Sequence, residues 1–257
     1  MNSQSENILF HRVSGTGHPV VFLHGFLESS SMWAYLEMPD TIQKIEVDLL
    51  GHGKSNGTDE NVSMIQMAEQ VFNLLKSLKI EKYFVVGHSM GGYVGLELMK
   101  LDRNCEKLVL LNSNFWNDSP EKVMNRKRVA KVVKTNKSHF LYEAIPNLFL
   151  NPEKYDKEVK GLILEARKMK SSAIAHVAIA MSKRSNNKEL VALRQADILI
   201  IQGEDDSTVL KSEMERYLRD INLAYEVLNH TGHMAHIESP AKTKQLILSF
   251  LGIKKRK

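Results

Sequence analysis

The sequence predicts an α/β protein in which a mostly parallel central sheet is flanked by helices. Short apolar runs alternate along the chain with helical patterns, as expected where helices connect the strands of one sheet. The best of these runs are continuous, as in Pro19–Leu23, which indicates strands buried on both faces. The chain has 257 residues, 43% of them hydrophobic, which is enough to bury one substantial core.

The predicted elements follow one another in a regular order. The strands are predicted at Ile8–Val13, Pro19–Leu23, Ile45–Leu49, Tyr83–Val86, Leu108–Leu111, Ile198–Ile201 and Ala224–Leu228. Apolar residues three and four apart predict a helix over Ile65–Leu78, and further helices are predicted at Met90–Met99, Ser212–Leu218 and Ala241–Leu251. Ser63 and Gln66, three residues apart at the start of the first helix, fit a capping box.

The interval from 115 to 187 breaks this alternation. It shows no convincing strand pattern, is rich in Lys, Met and aromatic residues, and contains Pro146 and Pro152. We interpret it as helices inserted over the carboxyl ends of the strands, where open α/β sheets bind ligands. The sequence therefore predicts a core of residues 1–114 and 188–257, with a helical cap, or lid, at 115–187.

The charge is unevenly distributed along the chain. The formal net charge is +5, but residues 120–170 alone carry 13 Lys and Arg against 6 Asp and Glu. Such a surface attracts anionic substrates or an acidic carrier protein, although a solvated helical face has the same composition. No nucleic-acid-binding motif accompanies the charge, and no apolar run approaches the roughly 20 residues that span a bilayer.

We expect a monomer or homodimer without nucleic-acid or membrane partners. Cys105 is the only cysteine of the sequence, so no internal disulfide can form. The first seven residues have neither a basic start nor an apolar signal core, and a cytoplasmic location is the expectation. We expect no metal and no cofactor.

Residues 87–91 read Gly-His-Ser-Met-Gly, a G-x-S-x-G pattern between a predicted strand and a predicted helix. This context is the one in which the pattern forms a sharp turn that exposes a nucleophilic serine, here Ser89. Gly87 and Gly91 remove side chains that would collide beneath the turn. The adjacent His88 points in another direction and is expected to pack rather than to act as the base.

Two backbone N–H groups are predicted to bind the oxyanion that forms when the serine attacks a carbonyl. One is that of Met90, the residue after the nucleophile. The other is that of Phe26, which follows a strand and a His-Gly turn. His24 in that turn is expected to be an internal hydrogen-bonding strut. Losing one such donor typically costs about 2.7–4 kcal/mol of transition-state stabilisation.

A serine nucleophile also needs a base, and His233 is the best candidate among the ten histidines. It follows the last strand, and Gly232 gives it a flexible loop from which an imidazole can face the site. His230 and His236 lie close in sequence and compete with it.

The acid that orients the base is expected after the strand Ile198–Ile201, between serine and histidine in chain order. Three acidic residues are adjacent there, and spacing alone does not choose between them: Glu204, Asp205 and Asp206. Asp206 is preferred, with Asp205 second. The chosen carboxylate would hold the imidazole in the useful tautomer and stabilise the imidazolium.

Together these motifs resemble the α/β-hydrolase superfamily over essentially the whole chain, in the family's order. The matching segments are His24-Gly25-Phe26 with Trp33, Asp48–Ser55, Gly87–Gly92, Gly203–Asp206 and Gly232–Pro240. The resemblance selects Asp206, the fourth residue of Gly-x-x-Asp, and His233, which follows a glycine ahead of Glu-x-Pro. It implies a structural role for the Asp48 loop, where Leu50 replaces a frequent proline, and a substrate-selecting role for the cap.

The resemblance also narrows the chemistry. Ser89 argues against haloalkane dehalogenases and epoxide hydrolases, which have aspartate at this position. Lyase relatives often have arginine where this chain has Tyr93, which lowers the lyase interpretation without excluding it. A Ser89–His233–Asp206 triad that cleaves a small carboxylic ester is the leading hypothesis.

Three alternatives keep the fold but change the function: a thioesterase or acyltransferase, a C–C bond hydrolase or lyase, and a non-catalytic ligand-binding receptor. Large apolar residues of the turn after the second predicted strand and of the insertion are candidates for the wall of the substrate pocket. They are Trp33, Phe115, Trp116, Phe140, Phe149 and Met181.

Overall fold

A computed structural model describes residues 9–55, 57–58 and 60–253 of the chain. In this part of the chain, seven strands form one sheet of order β1-β3-β2-β4-β5-β6-β7. The strands are β1 His11–Ser14, β2 His18–Leu23, β3 Ile42–Val47, β4 Tyr83–His88, β5 Cys105–Leu111, β6 Ile198–Gly203 and β7 Ala224–Leu228. Only β1 pairs antiparallel with its neighbour, and the other described pairs are parallel, so the predicted fold class is confirmed.

The helices connect the strands, as parallel pairing requires. They are α1 Met64–Ser77, α2 Met90–Leu101, α3 Pro120–Ala144, α4 Asp156–Lys168, α5 Ser171–Ser182, α6 Lys188–Leu193, α7 Lys211–Leu218, α8 Ala235–Glu238 and α9 Pro240–Leu251. A 3₁₀ turn at Ser30–Tyr35 follows β2. Among the described helices, none combines the length and the hydropathy of a bilayer-spanning segment.

The two faces of the sheet have separate cores, because successive residues of a strand point to opposite sides. Val21 and Val85 pack with α1 and α2 on one face. Phe22 and Val86 pack with α9 and the 3₁₀ turn on the other. The central strands β4 and β6 are buried along their whole length, which explains their continuous apolar sequences.

The segment between β5 and β6 contains α3 to α6 and no strand. Its helices form a third apolar cluster, which also includes Leu27 after β2 and Met234 beside α8. α3 is kinked at Asn136, whose φ of −144° and ψ of 59° are not helical. The insertion therefore has its own core and packs against loops that follow β2 and β7.

The boundaries differ from the sequence prediction in several places. β1 begins at His11, and Ile8 of the predicted first strand lies outside the described residues. β3 begins at Ile42, three residues before its predicted start, because it pairs with β2 from His18 onwards. Ser63 caps α1 by accepting from the Gln66 N–H at 3.0 Å, but Gln66 Oε1 has no partner in the described chain, so the capping box is half formed.

The register of the central strands places their carboxyl ends together. Leu23 at the end of β2 is opposite Gly87 of β4, and His88 of β4 is opposite Leu111 of β5. Leu111 is in turn opposite Ile201, near the end of β6. The loops after these four strands therefore meet at one edge of the sheet.

Candidate active site

Ser89 stands on the turn between β4 and α2, with φ 48° and ψ −115°. Such a positive φ strains a residue with a Cβ and costs about 1–3 kcal/mol. The strain is maintained by neighbours: the Ser89 N–H donates to Leu111 O at 3.0 Å, and Ser113 Oγ donates to Ser89 O at 2.7 Å. Unlike its neighbours His88 and Met90, which are buried, Ser89 is partly exposed.

The glycines around Ser89 are required by close backbone contacts. A Cβ on Gly91 would lie 2.1 Å from Leu23 O, and one on Gly87 would lie 2.5 Å from Gly91 O. Both distances are far inside van der Waals contact, so a side chain at either position would force the turn apart. The glycines of the sequence pattern are thus explained by the packing beneath the serine.

His233 pairs with Asp206 at the same edge of the sheet. His233 Nδ1 lies 2.9 Å from both carboxylate oxygens of Asp206, and both side chains are buried. An ionised carboxylate only accepts hydrogen bonds, so Nδ1 carries the proton and Nε2 is left with a free lone pair. This tautomer is the one that a general base requires.

The Asp206 carboxylate is stabilised by several donors besides His233. Its Oδ1 accepts from the N–H groups of Thr208 and Val209, at 2.8 and 2.9 Å. Its Oδ2 accepts from Asn112 Nδ2 at 3.0 Å. Burial acts to raise the pKa of Asp206, but His233 and these donors outweigh it and hold the pKa below its ordinary value.

Asn112 was missed at the sequence level. It follows β5 with a left-handed φ of 46°, is fully buried, and also donates to Gly232 O at 3.1 Å. Its amide therefore connects the loop of Asp206 with the loop of His233. A polar residue directly after an apolar strand was the available signal, but nothing in the sequence indicated its partners.

The structure separates the competing candidates. Glu204 and Asp205 are exposed, whereas Asp206 turns inward to His233. His230 is also exposed, and His236 is buried with neither ring nitrogen hydrogen-bonded in the described chain. Of the alternatives considered from the sequence, Asp206 and His233 are the pair in contact.

The two predicted oxyanion donors follow adjacent strands. Phe26 comes three residues after the end of β2, and Met90 two residues after the end of β4. Within the described chain, neither backbone N–H has a hydrogen-bond acceptor. The donors are thus left unpaired at the edge where Ser89 stands, which their predicted role requires.

His24 fixes the turn that leads to Phe26. Its Nδ1 donates to Gly25 O at 2.7 Å, and its Nε2 accepts from the Leu49 N–H at 2.9 Å. Burial lowers the pKa of His24, which keeps the ring neutral and suited to one donor and one acceptor. The ring is therefore the internal strut that its place in the sequence predicted.

The Asp48 loop is held by its own carboxylate. Asp48 accepts from the N–H groups of Ser30 and Lys54, each at 2.7 Å. A Cβ on Gly53, whose φ is 51°, would lie 2.1 Å from Asp48 Oδ2. These contacts support a structural loop beside the site.

The predicted pocket residues lie in three different apolar clusters, and their assignment to the pocket wall stays a prediction. Trp33 is only 1% exposed and packs edge-on against Phe22, at 5.1 Å between ring centroids, in the core beneath the sheet. Trp33 thus belongs to the apolar cluster on the face of the sheet that α9 covers.

The other five large residues lie in the other two clusters. Trp116 is buried and stacks on Tyr217 of α7 at 4.1 Å, with Phe115 beside it. Met181 belongs to the same core cluster as these two residues. Phe140 and Phe149 instead lie in the cluster of the insertion, against which Phe26 also packs.

Two buried histidines should make the fold sensitive to acid. Burial is the main cause that lowers the pKa values of His52 and His236, each to about 3. The unfolded chain protonates these rings below an ordinary pKa of 6.5, whereas the folded protein does not, so stability is lost as the pH falls below that value. By pH 4, we expect a loss of about 3 kcal/mol for each ring. His88, whose pKa is raised, does not offset this loss because its contribution is already complete below pH 6.5.

Urea unfolding at pH 7 and pH 4 measures this effect. Wild type should lose several kcal/mol between the two pH values, and His236→Leu should lose about 3 kcal/mol less. The same loss in both proteins would contradict the assignment of His236 as a neutral buried ring.

Comparison with known proteins decides the family. The family model for the alpha/beta hydrolase fold matches residues 18–240. The chain belongs to the α/β-hydrolase family. Among the described residues of this α/β-hydrolase, no group of three or more His, Cys, Asp or Glu could hold a metal ion.

Several relatives are similar over most of their length. The solved structure of a thermophilic esterase from Thermogutta terrifontis superimposes on this α/β-hydrolase with a TM-score of 0.87 and 28% identity, covering 95% of this chain and 93% of the esterase. A putative carbamate hydrolase, RutD, from Acinetobacter baylyi is 25% identical over 218 residues, 78% of this chain and 79% of its own. A putative 2-succinyl-6-hydroxy-2,4-cyclohexadiene-1-carboxylate synthase from Bacillus subtilis is 24% identical over 247 residues, 90% and 89% of the two chains. The relatives of this α/β-hydrolase are thus named as an esterase, a putative carbamate hydrolase and a putative synthase.

Proposed function

We propose that this α/β-hydrolase is a serine hydrolase that cleaves a small carboxylic ester through an acyl-enzyme. The observation that carries the proposal is the buried His233–Asp206 pair, joined at 2.9 Å on the sheet edge where Ser89 stands. Its tautomer leaves a basic nitrogen available, and Phe26 and Met90, whose N–H groups are unpaired in the described chain, follow the adjacent strands β2 and β4. The esterase from Thermogutta terrifontis supports ester chemistry by its 28% identity and shared fold.

The proposed reaction has two half-steps. Ser89 Oγ attacks the carbonyl carbon while His233 Nε2 takes the hydroxyl proton, and the resulting oxyanion accepts from the Phe26 and Met90 N–H groups. The C–O bond then breaks, the alcohol leaves with the proton from His233, and the acyl group stays on Ser89. Water repeats the attack on the acyl-enzyme, giving the acid and restoring Ser89. Asp206 stays ionised and stabilises the imidazolium in both half-steps.

The insertion is proposed to form the lid that selects the substrate. Phe140, Phe149 and Phe26 share one apolar cluster, which suits an uncharged acyl or alcohol group rather than a polar one. The insertion begins directly after β5 and ends before β6, and both strands belong to the four whose loops build the site. A small-molecule substrate is therefore favoured over a macromolecule.

A second candidate is hydrolysis of a thioester carried by an anionic group. It is favoured by α3, where exposed cationic side chains have no acidic partner among the described residues; they are Lys127, Arg128, Lys131 and Lys134. A lyase acting on a carboxylated substrate is less favoured. Tyr93 stands where such relatives often have arginine, and the Arg184 guanidinium above its ring, at 4.2 Å, is already paired with Asp118 at 2.6 Å.

Substrate class is tested by a panel of p-nitrophenyl esters of increasing acyl length, with the matching acyl-coenzyme A thioesters. The ester proposal expects the highest kcat/KM for short p-nitrophenyl esters, little dependence on salt, and no activity in Ser89→Ala. Higher kcat/KM for the thioesters, falling with ionic strength, would replace it with the second candidate. No turnover of either class would contradict both.

A further inference from the structure

A buried chain of hydrogen bonds runs beneath Ser89 on the face of the sheet opposite α1 and α2. His88 Nδ1 lies 2.9 Å from Glu28 Oε2, and His88 Nε2 lies 2.9 Å from His233 O. The same Glu28 oxygen accepts from the Gly25 N–H at 2.6 Å. The side chains of His88 and Glu28 are 1% and 3% exposed, so solvent does not screen these contacts.

The contacts fit a doubly protonated His88 beside an ionised Glu28. A backbone carbonyl has no proton to give, so Nε2 of His88 must donate to His233 O. Glu28 Oε2 already accepts from Gly25, and its contact with Nδ1 is satisfied when the ring carries the second proton. Burial acts to raise the pKa of Glu28, but the adjacent His88 lowers it to about 2. Burial acts to lower the pKa of His88, but Glu28 outweighs it and the pKa is raised.

Other groups near His88 do not compete for this role. The ring of His236 lies 4.8 Å away between centroids and is neutral, since burial lowers its pKa to about 3. The ring of His233 lies 5.1 Å away and is paired with Asp206. His24, on the Gly25 side, is neutral and bonded to the backbone. Glu28 is therefore the counter-ion of His88.

This ion pair touches each of the three segments that the proposed chemistry needs. Glu28 accepts from the Gly25 N–H, in the turn that presents the Phe26 N–H, and His88 is the residue directly before Ser89. Through His233 O the pair contacts the loop of the base. A Cβ on Gly25 would lie 2.5 Å from Glu28 Oε2 and 2.9 Å from His88 Nδ1, so the turn is packed directly onto the pair.

We propose that Glu28 and His88 are positioning residues, whose buried ion pair fixes the oxyanion turn and the His233 loop relative to Ser89. The inference rests on the proposed function, because it assigns the pair to the same site. Neither residue takes part in bond making. Their contribution is to hold the reacting groups at the short distances on which proximity effects depend.

Position 28 requires a carboxylate, because one oxygen of its side chain accepts from two donors. Glu28 Oε1 has no hydrogen-bond partner among the described residues, so Oε2 alone accepts from both Gly25 and His88. In Glu28→Gln, the amide oxygen has to occupy that position. His88 is then either a buried cation without a counter-ion or a neutral ring that loses one of its two hydrogen bonds. The glutamine therefore keeps the shape of the Glu28 side chain, but one of the hydrogen bonds that connect the pair to the three segments is lost.

The test compares Glu28→Gln, His88→Gln and His88→Asn with wild type on the best ester substrate. We expect Glu28→Gln to lower kcat about 10- to 100-fold with KM changed less than threefold, since positioning affects the transition state more than substrate binding. The amide of glutamine at position 88 reaches towards His233 O, whereas that of asparagine reaches only towards Glu28. His88→Gln should therefore keep more kcat than His88→Asn.

Asp118→Asn is the matched control, because Asp118 and Arg184 form an ion pair that is equally buried, at 1% and 3% exposure. Its partners are Arg126 and Arg184 rather than the triad. This variant should lower Tm without a selective loss of kcat. A general effect of breaking buried ion pairs would lower kcat in Asp118→Asn as much as in Glu28→Gln, and would overturn the inference.

A further measurement does not depend on the variants folding. In wild-type protein with ¹⁵N-labelled histidine, both ring nitrogens of His88 should have shifts of protonated nitrogen at pH 7, and a singly protonated ring would overturn the inference. Ser89→Ala separates the two proposals. If Ser89→Ala is inactive while Glu28→Gln has wild-type kcat, the positioning role alone fails; if Ser89→Ala is fully active, the proposed function fails.

Discussion

Replacing Ser89 with alanine is expected to lower kcat/KM for p-nitrophenyl esters by about 10⁴- to 10⁶-fold. The variant removes the only atom that forms the acyl bond, and the partly exposed Ser89 has no neighbouring serine in the Gly87–Gly91 turn to replace it. The residual rate should come from substrate binding and the oxyanion donors alone. Steady-state kinetics over a range of substrate concentrations measures the loss.

The stability of Ser89→Ala is the control. The Ser89 backbone contacts to Leu111 and Ser113 do not involve its hydroxyl, and alanine is strained by the positive φ to the same extent. Tm should therefore stay within about 2 °C of wild type. A folded variant that still hydrolyses esters at more than a tenth of the wild-type rate would show that another residue is the nucleophile.

Replacing Asp206 with asparagine should have the second largest effect, lowering kcat by about 10⁴-fold. The backbone N–H groups of Thr208 and Val209 donate to Oδ1, so the amide oxygen is held there and the amide nitrogen takes the Oδ2 position, which also lies 2.9 Å from His233 Nδ1. The neutral amide no longer holds the proton on Nδ1 as a carboxylate does, and its N–H favours the tautomer in which His233 accepts at Nδ1 and carries its proton on Nε2. That nitrogen can no longer take a proton from Ser89.

Asp205→Asn is the matched control for this variant. Asp205 is adjacent in sequence and was the second choice for the acid, but its side chain is exposed. Its kcat should stay within twofold of wild type at a pH near 8. A loss in Asp205→Asn that matches the loss in Asp206→Asn would show that the loop, rather than the carboxylate bonded to His233, matters.

The sequence predicted the parts of the site that depend on local patterns. Gly87 and Gly91 mark the turn around Ser89 because contacts within a few residues and with one neighbouring strand demand glycine there. The strands β4 and β6 were recognised because they are buried on both faces and hence continuously apolar. Asp206 needed the family resemblance, since three adjacent acids were equivalent by spacing.

The parts that were missed depend on contacts between distant segments. Asn112 bonds to Asp206 across 94 residues, and Glu28 pairs with His88 across 60. No periodicity indicates such pairs, because each partner is a single polar residue at the end of an apolar strand or in a turn.

Labelling with a fluorophosphonate probe, followed by peptide mapping, tests the central claim most directly. The probe reacts with a serine only when a base and oxyanion donors activate it, so it reports the assembled site without knowledge of the substrate. We predict one adduct, on Ser89, that is lost in Ser89→Ala and slowed strongly in Asp206→Asn. No adduct on the folded wild-type protein, or an adduct on another residue that persists in Ser89→Ala, would contradict the assignment of Ser89, His233 and Asp206 as a catalytic unit.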